Sequence, residues 1–298
     1  MLRLRVLVST LLLLMPALLA QEIPAGTIIP VMMRTTLDAR KARVGQKIEA
    51  SVMQDVRLSS QTRIRAGTKL VGHVVEVVRP SATSGSRIVM SFDRLTMKGT
   101  EVPVTTSLRS LASMMDVFEA QMPTTAFDDR GTSETDWVTV QIGGDVVYRG
   151  AGMVMSSDSQ VVGKSTAAGD VTAKLLASRD GGCRGAVADN DREQALWLFS
   201  PSACGAYGFE GLRIVHAGRE NPVGQIILES DKNVRLLGGS GLLLRVTTLP
   251  GGASTGPRSA EANAPPLLIR PSGANPVPAC HLTGTVLSQR DDLEAQLL

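Results

Sequence analysis

A short pattern that occurs twice near the start of the chain constrains the fold more than any other feature. Ala25-Gly26-Thr27 and Ala66-Gly67-Thr68 each stand directly before an apolar run. Glycine supplies the backbone freedom that a tight turn needs, and the β-branched threonine favours the extended backbone of a strand. The stretch 23–72 is therefore predicted to be β structure that begins each strand at one of these turns.

Strand patterns separated by turns continue to about residue 106. Ile48, Ala50 and Val52 alternate with polar residues, which is the period of two expected where one face of a strand is buried. Pro30 has no N–H to donate, so the strand that contains it is predicted to lie at an edge or to carry a bulge. Five or six short strands at this spacing are typical of an all-β barrel or sandwich. We expect a mainly β fold, a single β-barrel or sandwich.

The middle of the chain, 107–207, is predicted to be an irregular insertion between two parts of one β core, 23–106 and 208–247. The apolar spacing in 111–122 predicts an amphipathic helix that ends before Pro123. Residues 137–148 predict a hairpin around a pair of glycines. Together 21–249 are expected to form one discontinuous domain.

The two ends of the chain differ from this core. Arg3 and Arg5 precede an apolar run of fourteen residues, the pattern of a secretory signal peptide, predicted at 1–20. This run is shorter than the about 20 residues that cross a bilayer, with an uncleaved anchor as the alternative. Residues 250–281, rich in proline, glycine and serine, are predicted to be a linker without a core, and 282–298 a short tail. We expect an exported protein, periplasmic, associated with the outer membrane or extracellular.

Three cysteines in an exported chain predict one disulfide and one cysteine left over. Cys183 and Cys204 bracket a turn-rich segment and are the predicted pair. Cys280 would then be free or bonded to another molecule. Three unpaired thiols are the alternative, because the spacing permits the pairing without requiring it.

Five stretches of this sequence resemble a known family. They are IPAGTIIPVMMRTTLD (23–38), KIEASVMQDV (47–56), IRAGTKLVGHV (64–74), RIVMSFDRLTMKGTEVPV (87–104) and NVRLLGGSGLLLRV (233–246). In order and spacing they resemble the C-terminal β-barrel domain of TrbI-like proteins, outer-membrane core subunits of type IV secretion and conjugation systems. The layout is also similar to uncharacterised secreted proteins of soil bacteria. The resemblance implies a β domain that assembles with other proteins; the family's apolar membrane hairpin has no counterpart here.

Motifs that suggest catalysis or ligand binding all lack a necessary part. Gly163-Lys164-Ser165 ends like a phosphate-binding loop, but Asp158 stands where that loop needs glycine. Ser240 lacks the spacing of a nucleophile elbow. No two of the three histidines are three or four residues apart, and His73 is expected to be an ordinary strand residue. Asp93 and Arg94, as neighbours on a strand, are predicted to point to opposite faces. We therefore predict no catalytic, metal-binding or cofactor-binding residue, and no cofactor.

Charge and composition narrow the function classes. The net charge of +3 falls to +1 without Arg3 and Arg5, and scattered lysines with few aromatic residues argue against nucleic acid as a partner. The leading hypothesis is a non-enzymatic envelope protein that acts as an assembly or interaction module, with envelope proteins or other copies of itself as partners. The alternative is a module that binds cell-wall glycan or another envelope polymer, in which Trp137 and Tyr148 would stack on sugars. A hydrolase with a long-range site is the third hypothesis.

Overall fold

The computed structural model describes residues 23–122, 138–144, 146–148, 152–156, 160–166, 169–178, 192–217 and 224–247. All of these belong to one compact unit, which ends at Gly252. The described residues form twenty strands and one short helix. The strands are β1 Ile28–Met33, β2 Leu37–Asp38, β3 Lys47–Val52, β4 Val56–Arg57, β5 Arg63–Ile64, β6 Lys69–Val78, β7 Ser86–Met97, β8 Thr100–Pro103, β9 Thr106–Ala112, β10 Val138–Val140, β11 Val146–Tyr148, β12 Met153–Met155, β13 Val161–Ser165, β14 Val171–Ala173, β15 Gln194–Ala195, β16 Gly205–Tyr207, β17 Leu212–Ile214, β18 Ile226–Ser230, β19 Arg235–Leu236 and β20 Gly241–Val246, and the helix is α1 Met114–Gln121.

The main element is a ten-stranded sheet in the order β16-β9-β20-β1-β3-β6-β7-β18-β17, with β8 paired to β7. All pairs in it are antiparallel except β16 with β9. Its first and last strands, β16 and β17, follow each other in the chain but do not pair, so the sheet is not closed into a barrel. The fold is mainly β and sandwich-like, which selects the second of the two architectures that the sequence predicts.

One face of this sheet buries the larger hydrophobic core. Alternate residues of each long strand point into it, as Ile48 and Ala50 do from β3, and this is the period-two pattern of the sequence. The early and late parts of the chain meet there, because β1 pairs with β20 and β7 pairs with β18. The two segments separated by more than one hundred residues therefore share one core.

The segment 107–207 contributes more regular structure than its sequence indicates. Its strands β9 and β16 lie in the ten-stranded sheet itself, and every residue of β9 is buried. The helix is also shorter than predicted, because residue 111 still belongs to β9. Ser113 caps the helix: its hydroxyl accepts a hydrogen bond from the Asp116 N–H at 3.1 Å, which ends the strand and starts α1.

A second layer covers the outer face of β1, β9 and β20. It consists of the four-stranded sheet β12-β13-β14-β15, of α1 and of the connection that leads to β16. Ile28 and Leu243 reach it from the main sheet, and Phe199 is fully buried between the layers. This second, smaller core makes the architecture a sandwich on one half of the sheet only.

Gln54 fastens the second layer to the main sheet. Its side-chain amide donates to the Val171 carbonyl at 2.9 Å, and its carbonyl oxygen accepts from the N–H groups of Val171 at 3.2 Å and Trp197 at 2.5 Å. Trp197 has a φ of 52°, a left-handed backbone that is strained for a non-glycine residue. A fully buried glutamine thus satisfies two backbone N–H groups that would otherwise lie unpaired between the layers, and it gives the Val171 carbonyl a second donor besides the Leu196 N–H.

Pro30 is neither on an edge strand nor at a bulge of β1, the two alternatives predicted from its missing N–H. β1 lies between β20 and β3, but the pairing with β3 begins only at Val31. On the β3 side, the Ile28 N–H is taken by the side chain of Gln194 at 3.0 Å, and the Pro30 carbonyl accepts from Met53. The proline therefore stands where the ladder on that side has ended, so the sheet loses no bond.

Candidate functional site

Charged side chains line the outer face of β3, β6, β7, β8, β17 and β18, the half of the main sheet opposite the larger core. We call this surface the charged face. Its members are Lys47, Glu49, Lys69, His73, Glu76, Arg87, Asp93, Arg94, Glu101, Arg213 and Glu229. Each of them forms an ion pair or hydrogen bond with another member, so the charges of this surface compensate one another within the chain.

Glu49 is the clearest case of this compensation. Lys47 and Lys69 each place their ammonium nitrogen 2.8 Å from its carboxylate. Hydrogen bonds from these two ammonium groups lower the pKa of Glu49 to about 2. Farther along the face, Glu229 accepts from Arg87 at 3.1 Å and from Arg213 at 2.8 Å, across three neighbouring strands.

His73, Asp93 and Ser91 meet on the charged face, but in the wrong order for nucleophilic catalysis. The Nδ1 atom of His73 lies 2.7 Å from one carboxylate oxygen of Asp93, and the Ser91 hydroxyl donates to the other oxygen at 3.0 Å. A serine nucleophile needs the imidazole as its base, whereas this serine is bonded to the carboxylate. His73 is a hydrogen-bonded strand residue, as the sequence predicts.

Asp93 and Arg94 do not point to opposite faces. The register of β6 with β7 shifts between Val71 and Gly72, so that Asp93 is the extra residue of a β-bulge. Both side chains reach the surface, where Asp93 bonds to His73 and Arg94 donates to Glu101 at 3.1 Å. The bulge is a local departure from the alternation on which the prediction depended.

Gly163-Lys164-Ser165 lies on strand β13 and not on a loop. A Cβ atom at Gly163 would come within 2.2 Å of the Thr172 carbonyl oxygen, so glycine is needed there for the approach of β14. Ser240 is fully buried in the turn before β20. Within the described ranges, no group of three or more His, Cys, Asp or Glu side chains is placed to hold a metal ion.

The remaining predicted site residues lie wholly or partly outside the described residues. Cys183, Trp137 and Cys280 fall in segments that the structure does not describe, so the pairing of Cys183 with Cys204 stays a prediction. Cys204 itself is buried, with its Sγ atom 3.4 Å from the Arg109 carbonyl oxygen. Tyr148 ends β11, opposite Val138, the residue that follows Trp137. Stacking by the two aromatic residues likewise stays a prediction.

Arg109 is a buried cation that the sequence analysis missed. Its guanidinium donates to the carbonyl oxygens of Ala203 and Leu176, each at 2.9 Å. Burial lowers the pKa of Arg109 to about 10, with a smaller contribution in the same direction from the nearby Arg245. These bonds tie β9 to the segment that follows β14 and to the segment that precedes β16. We therefore interpret Arg109 as a structural residue. An arginine inside a run of small and apolar residues was the available signal.

Large apolar side chains are exposed on neighbouring elements of the second layer. We call this surface the methionine band. Its members are Met114, Met115, Phe118 and Met122 on α1 and its C-cap, Met153 and Met155 on β12, and Val161 on β13, each between 39% and 64% exposed. Three other large apolar residues of the described chain are exposed, Val44, Val78 and Val215, and they lie elsewhere.

The elements of the methionine band are continuous along the fold. α1 contacts β10, β10 pairs with β11, β11 contacts β12, and β12 pairs with β13. On α1 the small residues Val117 and Ala120 are buried, and the larger methionines and Phe118 face outward. The helix therefore has apolar side chains on both faces, and the larger ones are on the exposed face.

Two charged residues stand at opposite ends of the methionine band. Glu119 is exposed on α1, and Lys164 is exposed on β13. Unlike the members of the charged face, neither forms an ion pair with any residue that the structure describes.

In the described part of the chain, no helix combines the length and the apolar character needed to cross a membrane.

Comparison of the chain with protein-family models, with curated proteins and with solved structures gives no match.

Proposed function

We propose that this chain is an exported, non-enzymatic assembly or interaction module that docks on other envelope proteins or on copies of itself through the methionine band. The observation that carries the proposal is that seven of the ten large exposed apolar side chains in the described residues belong to α1, its C-cap, β12 and β13, elements that are linked by contacts through β10 and β11. Large exposed apolar patches are rare on soluble monomers, and where they occur they usually mark an interaction site. The signal-like pattern of 1–20 supports export to the envelope.

The chemistry of the band suits docking. Methionine has three rotatable bonds and a polarizable sulfur, so it adapts to an opposing surface at low cost. Phe118 adds a large rigid side chain in the middle of the helix, between Met114 and Met122 at spacings of four residues. Central aromatic residues surrounded by adaptable apolar side chains are typical of the energetic centre of an interface.

The charged face is a less suitable docking surface than the methionine band. Its ionic side chains are bonded to one another, and a partner would have to break these pairs or leave them solvated. Its histidine, aspartate and serine are bonded in an order that supplies no activated nucleophile. The non-enzymatic proposal therefore rests on what these side chains are bonded to.

The test replaces Phe118 by aspartate and measures association of the exported chain by sedimentation, alone and with an envelope extract. We expect association roughly thirtyfold weaker in Phe118→Asp, the effect of about 2 kcal/mol that marks a central interface residue. Val44→Asp is the matched control, because Val44 is an exposed apolar residue, at 68% against 54% for Phe118, but lies outside the band. A wild-type chain that stays monomeric and recovers no partner would sink the proposal, as would equal losses in the two variants.

A further inference from the structure

We infer that the occupant of the methionine band is a second copy of this chain, placed so that α1 of each copy packs on β12 and β13 of the other. The inference rests on the proposed docking through the band and names its partner and geometry. Such an arrangement has a two-fold axis, and each contact occurs twice. The axis would pass near the hairpin β10–β11, which lies between α1 and β12 in the order of elements.

The two ends of the band are complementary in charge. α1 carries Asp116 and Glu119 and no basic residue. β12 and β13 carry Lys164 and no acidic residue. A two-fold arrangement that exchanges the ends brings Glu119 to Lys164 of the partner subunit, and Lys164 to Glu119 of the partner subunit. Two side chains without an ion pair in the described chain thereby gain one each.

The two ends are also complementary in shape and chemistry. Met114, Phe118 and Met122 form a stripe along one helix face, because residues four apart lie above one another. Met153 and Met155 point outward from β12, while Val154 between them is fully buried. A helix stripe laid on this pair of strands would set the Phe118 ring among methionine sulfurs, a favourable contact in its own right.

A different two-fold arrangement, α1 against α1, is disfavoured by the same charges. It would bring Glu119 of both copies to one seam, with no cation from either helix. Like charges placed side by side in an interface weaken it. The sign of the charges therefore selects the arrangement in which the helix meets the strands.

A charge-reversal cycle on the full chain tests the geometry. Glu119→Lys and Lys164→Glu each replace an attraction by a repulsion, and we expect each to weaken self-association on the order of tenfold at low salt. The double variant restores opposite charges across the interface, so its dissociation constant should return to within about threefold of wild type. The matched controls are Asp231→Lys and Lys41→Glu, exposed charges away from the band, which should leave association unchanged.

The outcomes separate this inference from the function on which it rests. A double variant no tighter than the single variants overturns the proposed geometry, even if Phe118→Asp still abolishes self-association. An envelope protein captured through the band by a chain that does not self-associate overturns the choice of partner and leaves the docking function standing. Two results together support the inference. At low salt the double variant restores association, and at high salt the single variants associate like wild type, because salt screens exposed charge pairs.

Discussion

The charged face and the methionine band are both exposed surfaces of one compact unit, but their side chains are satisfied in different ways. On the charged face, Glu49 is held by two lysines and Glu229 by two arginines, all from the same chain. On the band, the apolar side chains are exposed, and Glu119 and Lys164 have no ion-pair partner among the described residues. Both surfaces are exposed, so exposure does not separate them; they differ in whether their charged side chains are paired within the chain, and this difference is the basis of the proposed docking through the band.

The layers of the fold explain why the two surfaces differ. Over β3, β6, β7 and β18 nothing covers the outer face of the sheet in the described chain, so its side chains are polar and paired. Over β1, β9 and β20 the second layer covers that face and buries the smaller core. The outer surface of that layer is the band. A surface that faces only water is expected to be mostly polar, and the apolar character of the band is therefore the reason for proposing a partner there.

The largest predicted effect is the loss of stability when the second layer loses its attachment to the main sheet. Gln54→Ala leaves two N–H groups buried without a partner and removes one of the two donors to the Val171 carbonyl, so we expect the free energy of unfolding to fall by roughly 4 kcal/mol. Urea denaturation measures it. Gln225→Ala, at an exposed position, is the matched control and should change stability by less than about 0.5 kcal/mol. A similar small change in Gln54→Ala would show that Gln54 does not fasten the layer.

The smallest predicted effect is the pH dependence of stability that Glu49 contributes on the charged face. The folded-state pKa of Glu49 is lowered to about 2 from an ordinary value of 4.5, so its pairing stabilises the fold above pH 4.5 and this contribution is lost as the pH falls from about 4.5 to about 2. Glu49→Gln should flatten the stability curve in that window only. Removing both lysines, as Lys47→Met with Lys69→Met, should reproduce the flattening. An unchanged slope in both variants would contradict the pairing.

The sequence predicts strands from alternation, as in β3, and from apolar runs that follow a turn, as in β1 and β20, but it misses β9. β9 is buried on every residue and has no period of two, and its last two residues fall inside the range 111–122 that predicts a helix. Barrel and sandwich differ only in whether β16 and β17 pair, and no residue pattern specifies that long-range bond.

The methionine band could be found only in part from the sequence. The apolar spacing of 111–122 predicts a helix, and an amphipathic helix ordinarily buries its larger apolar side chains. Here Val117 and Ala120 are buried, and Met115 and Phe118 are exposed. Which apolar face of a helix meets the core depends on how closely it must approach the sheet, and that distance is a property of the packed layers.

The most direct test of whether a second copy covers the methionine band is methionine oxidation by dilute peroxide. The extent of oxidation is measured for each methionine at low and at high protein concentration. In dilute solution we expect the five methionines of the band to be oxidised well before the buried Met33 and Met90, because exposure controls the reaction. At high concentration, with free methionine as the reference, oxidation of the band should slow toward the rate of the buried pair as a second copy covers it. Band methionines that oxidise at the same rate at both concentrations would contradict the account.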